Sequence, residues 1–142
     1  MPWKRNGERW HLGEKGFPPG RKLRWDRAIL PRMLKLVQEV EPGVEVKWDT
    51  RDAITIRVPG VTKAWALWRT KEAEALDCRF LLRKGRLNLA QVEGLGAAAI
   101  EEQRTDGDVL RLQLTDLGAE QAVRLRGVLA EQMRAFREAF GK

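Results

Sequence analysis

Between Ile54 and Leu114 apolar residues recur at every second position in short runs, each closed by a turn dipeptide or a polar break. A strand with one buried face requires that period, whereas a helix would scatter such residues around its circumference. Ile54, Ile56 and Val58 alternate with Thr55 and Arg57, and Pro59-Gly60 turns the chain. Residues 64–69 read as a second strand, with Trp65 and Trp68 on opposite faces. Leu76, Cys78, Phe80 and Leu82 alternate with Asp77, Arg79 and Arg83 in a third. After Lys84-Gly85 a short helix is predicted over 87–93. Residues 98–104 and 109–114 flank Asp106-Gly107, a hairpin signal, and place Leu110, Leu112 and Leu114 toward the core.

Segments of helical period bracket these strands. Leu30, Met33, Leu34 and Val37 recur at i, i+3, i+4 and i+7, and Pro42-Gly43 ends that run. Asp26 is a candidate cap, and Pro31 puts the start of the regular helix near Leu30. Ala122, Leu125, Leu129, Met133, Phe136 and Phe140 mark a long final helix, with Thr115 or Asp116 as N-cap. Ahead of all this lies a loop over 13–20, and residues 9–12 and 22–25 read as two short strands around it. The predicted fold is α+β. An antiparallel sheet of about five strands carries an N-terminal helix and a long C-terminal helix on one face, preceded by a basic, hairpin-like segment. Residues 1–25 form that segment and 26–142 a single domain.

At 142 residues the chain can bury a core without disulfide or metal staples. It contains no serine, so a serine triad and a serine nucleophile elbow are excluded. Cys78 and His11 are its only cysteine and histidine, so it cannot build a Cys/His zinc cluster or an internal disulfide. The first dozen residues are polar and charged, unlike a secretory signal, and no apolar run reaches about 20 residues. A soluble, cytoplasmic protein without membrane contact is the expectation.

Charge is unevenly placed. The net charge is +7, and residues 1–36 hold ten cations against three anions, so the remainder is neutral. Lys4, Arg5, Arg9, Lys15, Arg21, Lys22 and Arg24 are interleaved with Trp3, Trp10 and Trp25. Cations of this kind displace counterions from phosphates, and an exposed indole stacks on unpaired bases. Against that stands the reading of the tryptophans as core anchors and the cations as solubilising. Arg79, Arg83, Lys84 and Arg86 flank the 84–85 turn as a second cluster that would extend the same surface.

Other motifs are weaker. Gly94-Leu95-Gly96-Ala97-Ala98-Ala99 fits a dinucleotide fingerprint but sits before a hairpin, which favours a loop. Asp26 with Glu45-x-Lys47 has the residue types of a metal-dependent nuclease, but a cap and a solvated strand face account for them better. His11 lacks an evident carboxylate partner and reads as an ordinary surface or hairpin histidine, and Cys78 as a small buried hydrophobe. The apolar stripe of the final helix suits a core face better than a dimer seam.

Several segments form an ordered set. They are Arg9-Trp10-His11-Leu12, Arg24-Trp25-Asp26 with Ile29-Leu30, Trp48 with the strand over 51–58, the strand around Trp65, and that over 76–83 with Asn88-Leu89. This order resembles a C-terminal extension carried by some bacterial homologues of the excinuclease ABC ATPase, the damage-sensing component of nucleotide excision repair. The resemblance spans roughly residues 9–95 and implies association with DNA repair. The chain has no Gly-rich loop ending in Gly-Lys-Ser/Thr and no cysteine pairs, so neither the ATPase nor the zinc modules carry over, and no catalytic residue does. More distantly, the element order is similar to the small double-wing proteins of the MmcQ/YjbR type.

The expected function is therefore a non-enzymatic nucleic-acid-binding accessory domain in DNA repair, without cofactor or metal. Its contacts with DNA would be Lys4, Arg5, Arg9, Trp10, Lys15, Arg21, Lys22, Arg24, Arg83, Lys84 and Arg86. The alternative is a module that docks on an excinuclease or another repair protein through an exposed apolar patch holding Trp65 or Trp68. A metal-dependent nuclease is the third reading.

Overall fold

The structure is a computed structural model describing residues 1–85, 87–103 and 107–141, the side chains of 101–103 excepted. Two short helices, α1 (Pro2–Arg5) and α2 (Gly7–Leu12), open the chain. A loop leads to α3 (Ile29–Val40). The strands are β1 (Glu45–Lys47), β2 (Ala53–Arg57), β3 (Ala66–Arg69), β4 (Leu76–Leu82), β5 (Ala97–Gln103) and β6 (Gly107–Leu114). The last element is α4 (Ala119–Phe140). All strand pairs are antiparallel, in the order β1-β2-β3-β4-β6-β5. The α+β class stands, with six strands rather than about five. The additional one, β1, has only three residues, too few to display a period, and covers the Glu45–Lys47 stretch read as a solvated strand.

The period-two runs bury the face they promised. Ile54, Ile56, Leu76, Cys78, Phe80, Leu82, Leu110 and Leu112 are fully buried. On the helices, Leu30, Met33 and Val37 meet Leu125, Leu129 and Phe136 over that face. Arg126 reaches Glu39 at 2.6 Å and Arg137 reaches Glu41, tying α4 to α3. Asp26 does prepare the start of α3, its Oδ1 accepting the Ala28 N–H at 2.9 Å. Pro31 sits in the first turn, where no N–H is needed.

Three expectations are corrected. Residues 9–12 are helical and 22–25 form no strand, so the N-terminal segment is not a hairpin. Asn6 caps α2 instead, its side chain accepting the Arg9 N–H. Trp65 and Trp68 do not face opposite ways. Both are buried, with ring centroids 5.2 and 5.9 Å from Phe80. Trp65 precedes the regular β3 ladder, so the alternation of the strand does not govern it. Finally, α4 starts behind Gly118 rather than Thr115 or Asp116, because Leu117 first turns into the core at 6% exposure. The hairpin of β5 and β6 is present, while Arg104 and Asp106 of its connection lie outside the described residues.

Candidate nucleic-acid interface

The N-terminal segment is fastened to one end of the sheet. There the loops 48–52 and 70–74 lie next to one another, since β2 begins where β3 ends and β4 begins. Trp25 enters the core, its indole N–H donating to the Glu72 carbonyl at 2.8 Å. The indole of Trp10 donates to the Arg51 carbonyl at 2.7 Å. Gly7 lies so close to Trp48 that an added Cβ would come within 2.3 Å of its carbonyl oxygen, so any larger residue would push α2 away.

His11 is the centre of this attachment, not a surface histidine. It is 2% exposed. Its Nε2 faces the carbonyls of Thr50 at 2.6 Å and Trp48 at 3.1 Å, and Nδ1 meets Thr70 Oγ1 at 2.5 Å. Two carbonyls require Nε2 to carry the proton, so in the neutral ring Nδ1 accepts the threonine hydroxyl. Burial lowers the His11 pKa below 6.5, with the Lys71 ammonium adding to that effect against the opposing backbone acceptors. Lys71 is itself buried. Its Nζ donates to the carbonyls of Trp10 at 2.7 Å and Gly13 at 3.1 Å, and lies over the rings of Trp10 and Phe17. Burial, then Arg27, lowers its pKa to about 8.

Both depressed pKa values have the same sign in stability. An unfolded chain binds a proton that the folded clasp refuses, so stability rises with pH between each folded and unfolded value. The His11 contribution is complete above pH 6.5 and declines below it; the Lys71 contribution grows between about pH 8 and 10.5. Amide exchange over residues 9–13, corrected for intrinsic rates, is expected to accelerate as pH falls below 6.5. A His11→Asn chain should lose that dependence; an unaltered profile would contradict the clasp.

Fastened in this way, α1, α2 and the next loop enclose a groove of about 710 Å³, lined by Met1, Pro2, Arg5, Asn6, Arg9, Trp10, Gly13, Glu14 and Lys15. Four of the anticipated contact residues, Arg5, Arg9, Trp10 and Lys15, thus meet in one place. Among the described residues, the three cations of this groove form no ion pair. Other cations are engaged: Arg24 with Glu74 at 3.3 Å, Arg27 with Glu14 at 3.0 Å and Arg83 with Glu138 at 3.6 Å. Trp10 offers little stacking surface. Trp3 packs at 5.3 Å, Lys71 lies over its ring, and Gly16 abuts its edge.

The other anticipated residues are dispersed. Lys4, Arg21, Lys22 and Arg24 are exposed but do not line the groove. Arg83 and Lys84 follow β4, whereas the N-terminal segment docks near its start. Seven residues of strand separate the two clusters by roughly 20 Å. Arg79 belongs to neither, since it points to Asp77 on the sheet. Arg86 lies outside the described residues.

The competing motifs lose their geometry. Gly94 and Gly96 adopt positive φ and lead into β5, a strand, so no helix N-terminus is there to take a pyrophosphate. Asp26 is occupied with Ala28, and Glu45 and Lys47 are exposed on the edge strand β1. Among the described residues no three His, Cys, Asp or Glu side chains gather as metal ligands. An apolar docking patch holding Trp65 or Trp68 is overturned by their burial. Met1, Leu67, Leu89 and Val123, the exposed large apolar side chains, lie apart along the chain. Cys78 is buried as expected, and burial raises its thiol pKa. Among the described residues no helix is long and apolar enough to cross a membrane. No protein-family model matches the chain, and neither a curated protein nor a solved structure is significantly similar to it.

Proposed function

We propose that this is a non-enzymatic nucleic-acid-binding domain that holds a phosphate backbone in the groove between α1, α2 and the following loop. The observation behind the reading is the set Arg5, Arg9 and Lys15, which line one groove without internal carboxylate partners among the described residues. Such cations carry sequence-independent, salt-sensitive affinity. The buried clasp of His11 and Lys71 holds the groove in place, which lowers the ordering cost of binding. The resemblance of residues 9–95 to the excinuclease extension supports DNA as the nucleic acid, with an excinuclease or another repair protein as partner.

Fluorescence titration with single- and double-stranded DNA at low salt tests this. Binding is expected at about micromolar to tenth-millimolar concentration. The triple variant Arg5→Glu, Arg9→Glu, Lys15→Glu should bind at least about tenfold more weakly, with a visibly shallower salt dependence. Affinity that is the same in the variant would refute the groove as the site.

A further inference from the structure

The sheet has a second face, turned away from α3 and α4, and it stands open. Leu67 is 40% exposed there, and Lys47, Arg69, Ala97 and Ala99 are exposed beside it. The registers place its residues in rows. One row runs Lys47, Thr55, Leu67, Arg79, Arg111, Ala99, with each neighbour directly opposite the next on the adjoining strand. In the next row Arg69 stands directly opposite Asp77.

Arg79 and Arg111 form a like-charged cross-strand pair, an arrangement that costs stability by itself. Asp77 offsets it. Its carboxylate is fully buried and accepts from Arg111 Nε and Nη2, each at 3.2 Å, and from Arg79 Nη2 at 3.3 Å. Two guanidinium groups, each about one-third exposed, are thus held on this face by one buried anion, and the exposed Arg69 stands opposite that anion on β3.

We propose that this face is a second contact for nucleic acid, specifically for the backbone of a single strand laid across the sheet from the N-terminal groove. The inference rests on the groove reading above. Three features favour this occupant. Guanidinium groups fixed in advance suit the paired oxygens of a phosphate and lose little freedom on binding it. A flat face gives a flexible single strand more contact than it gives a convex duplex. An acidic peptide of extended form would join a free sheet edge, where backbone groups are unpaired, yet these arginines sit on β4 and β6, both paired on either side. The face also adjoins the groove: Arg51, whose guanidinium lies over Trp3, stands two positions before Ala53, which begins β2 opposite Arg69.

The test uses the full chain and fluorescence anisotropy with labelled oligothymidylates, one short enough for the groove alone and one long enough to continue over the sheet. The variant Lys47→Glu, Arg69→Glu alters exposed residues outside the Asp77 contacts, and circular dichroism verifies its fold. Expected is about a tenfold loss for the long oligonucleotide, a salt slope shallower by roughly 1.4, and unchanged binding of the short one. If long-strand affinity is unchanged while the groove variant loses binding, the sheet contact is refuted and the groove reading survives. If the unaltered chain binds neither oligonucleotide, both fall. If the double variant instead loses binding of a polyglutamate peptide and keeps long-strand affinity, the occupant is an acidic peptide and the proposal is overturned.

Discussion

Replacing Phe80 with alanine is expected to remove about 4 kcal/mol of stability, a large share of the roughly 5–15 kcal/mol of an ordinary domain. Phe80 is fully buried on β4, in the interior of the sheet, and both Trp65 and Trp68 pack on its ring. Truncation removes the transfer free energy of the ring and leaves a cavity whose aromatic walls sit on strand backbone and cannot close on it. Each lost aromatic pair adds about 0.5–1.5 kcal/mol to the area term. The expected readout is a urea transition at markedly lower midpoint with unchanged slope, followed by tryptophan emission. A shift worth less than about 1 kcal/mol would mean that the site collapses freely, against the packing described. Phe80→Leu keeps most of the volume and should cost less than half as much.

The second large effect is expected at the buried carboxylate. An exposed ion pair is worth about 0–1 kcal/mol, and the arginine ends of this network are only about one-third exposed. Asp77 has no access to water at all. Deleting Arg111 therefore leaves an anion in the sheet with a single contact from Arg79 at 3.3 Å. Arg111→Met keeps the aliphatic length and is expected to cost about 3 kcal/mol, the low end for an orphaned buried charge. Asp77→Asn combined with Arg111→Met should recover most of that loss, since no charge then remains unpaired in the interior. Denaturant titration of the two single variants and the double variant measures the coupling. A cost for Arg111→Met near zero, or no recovery in the double variant, would show the network to be a surface feature only.

The sheet was legible because its periods are long and uninterrupted. Four apolar residues at alternate positions from Leu76 to Leu82 leave no other element that buries them all. The same holds for the turn-by-turn stripe of α4. What stayed hidden depends on residues far apart in sequence. Residues 9–12 carry no helical stripe, and their helix is held by a histidine that meets residues 37 to 59 positions away. Nothing in the sequence near Lys71 says that its ammonium will be buried between two aromatic rings 61 and 54 positions earlier. The groove was half legible. The charge surplus lies in the segment that forms the groove, yet only folding separates Arg5, Arg9 and Lys15 from the cations that disperse. The arginines of the open face did leave a signal: Arg57, Arg69, Arg79 and Arg111 all occupy the polar phase of their strands. Read as charges along the chain they seem unrelated, and only the strand register brings Arg69, Arg79 and Arg111 around one aspartate.

The order of strands also sets a timetable for folding. Strands β1 to β4 form a meander of sequential neighbours, whose contacts close short loops and form early. The outer edge of β4 then has to wait, because β5 is synthesised next but takes the far position. It pairs only with β6, so it has no place in the sheet until that strand exists. Once β6 emerges, the hairpin assembles locally and docks as one piece on the waiting edge. Until then β4 exposes a long unpaired backbone edge, with α4 not yet present to cover its apolar side chains. This is the interval in which two nascent chains would cross-pair, and rapid docking of the hairpin brings it to a close.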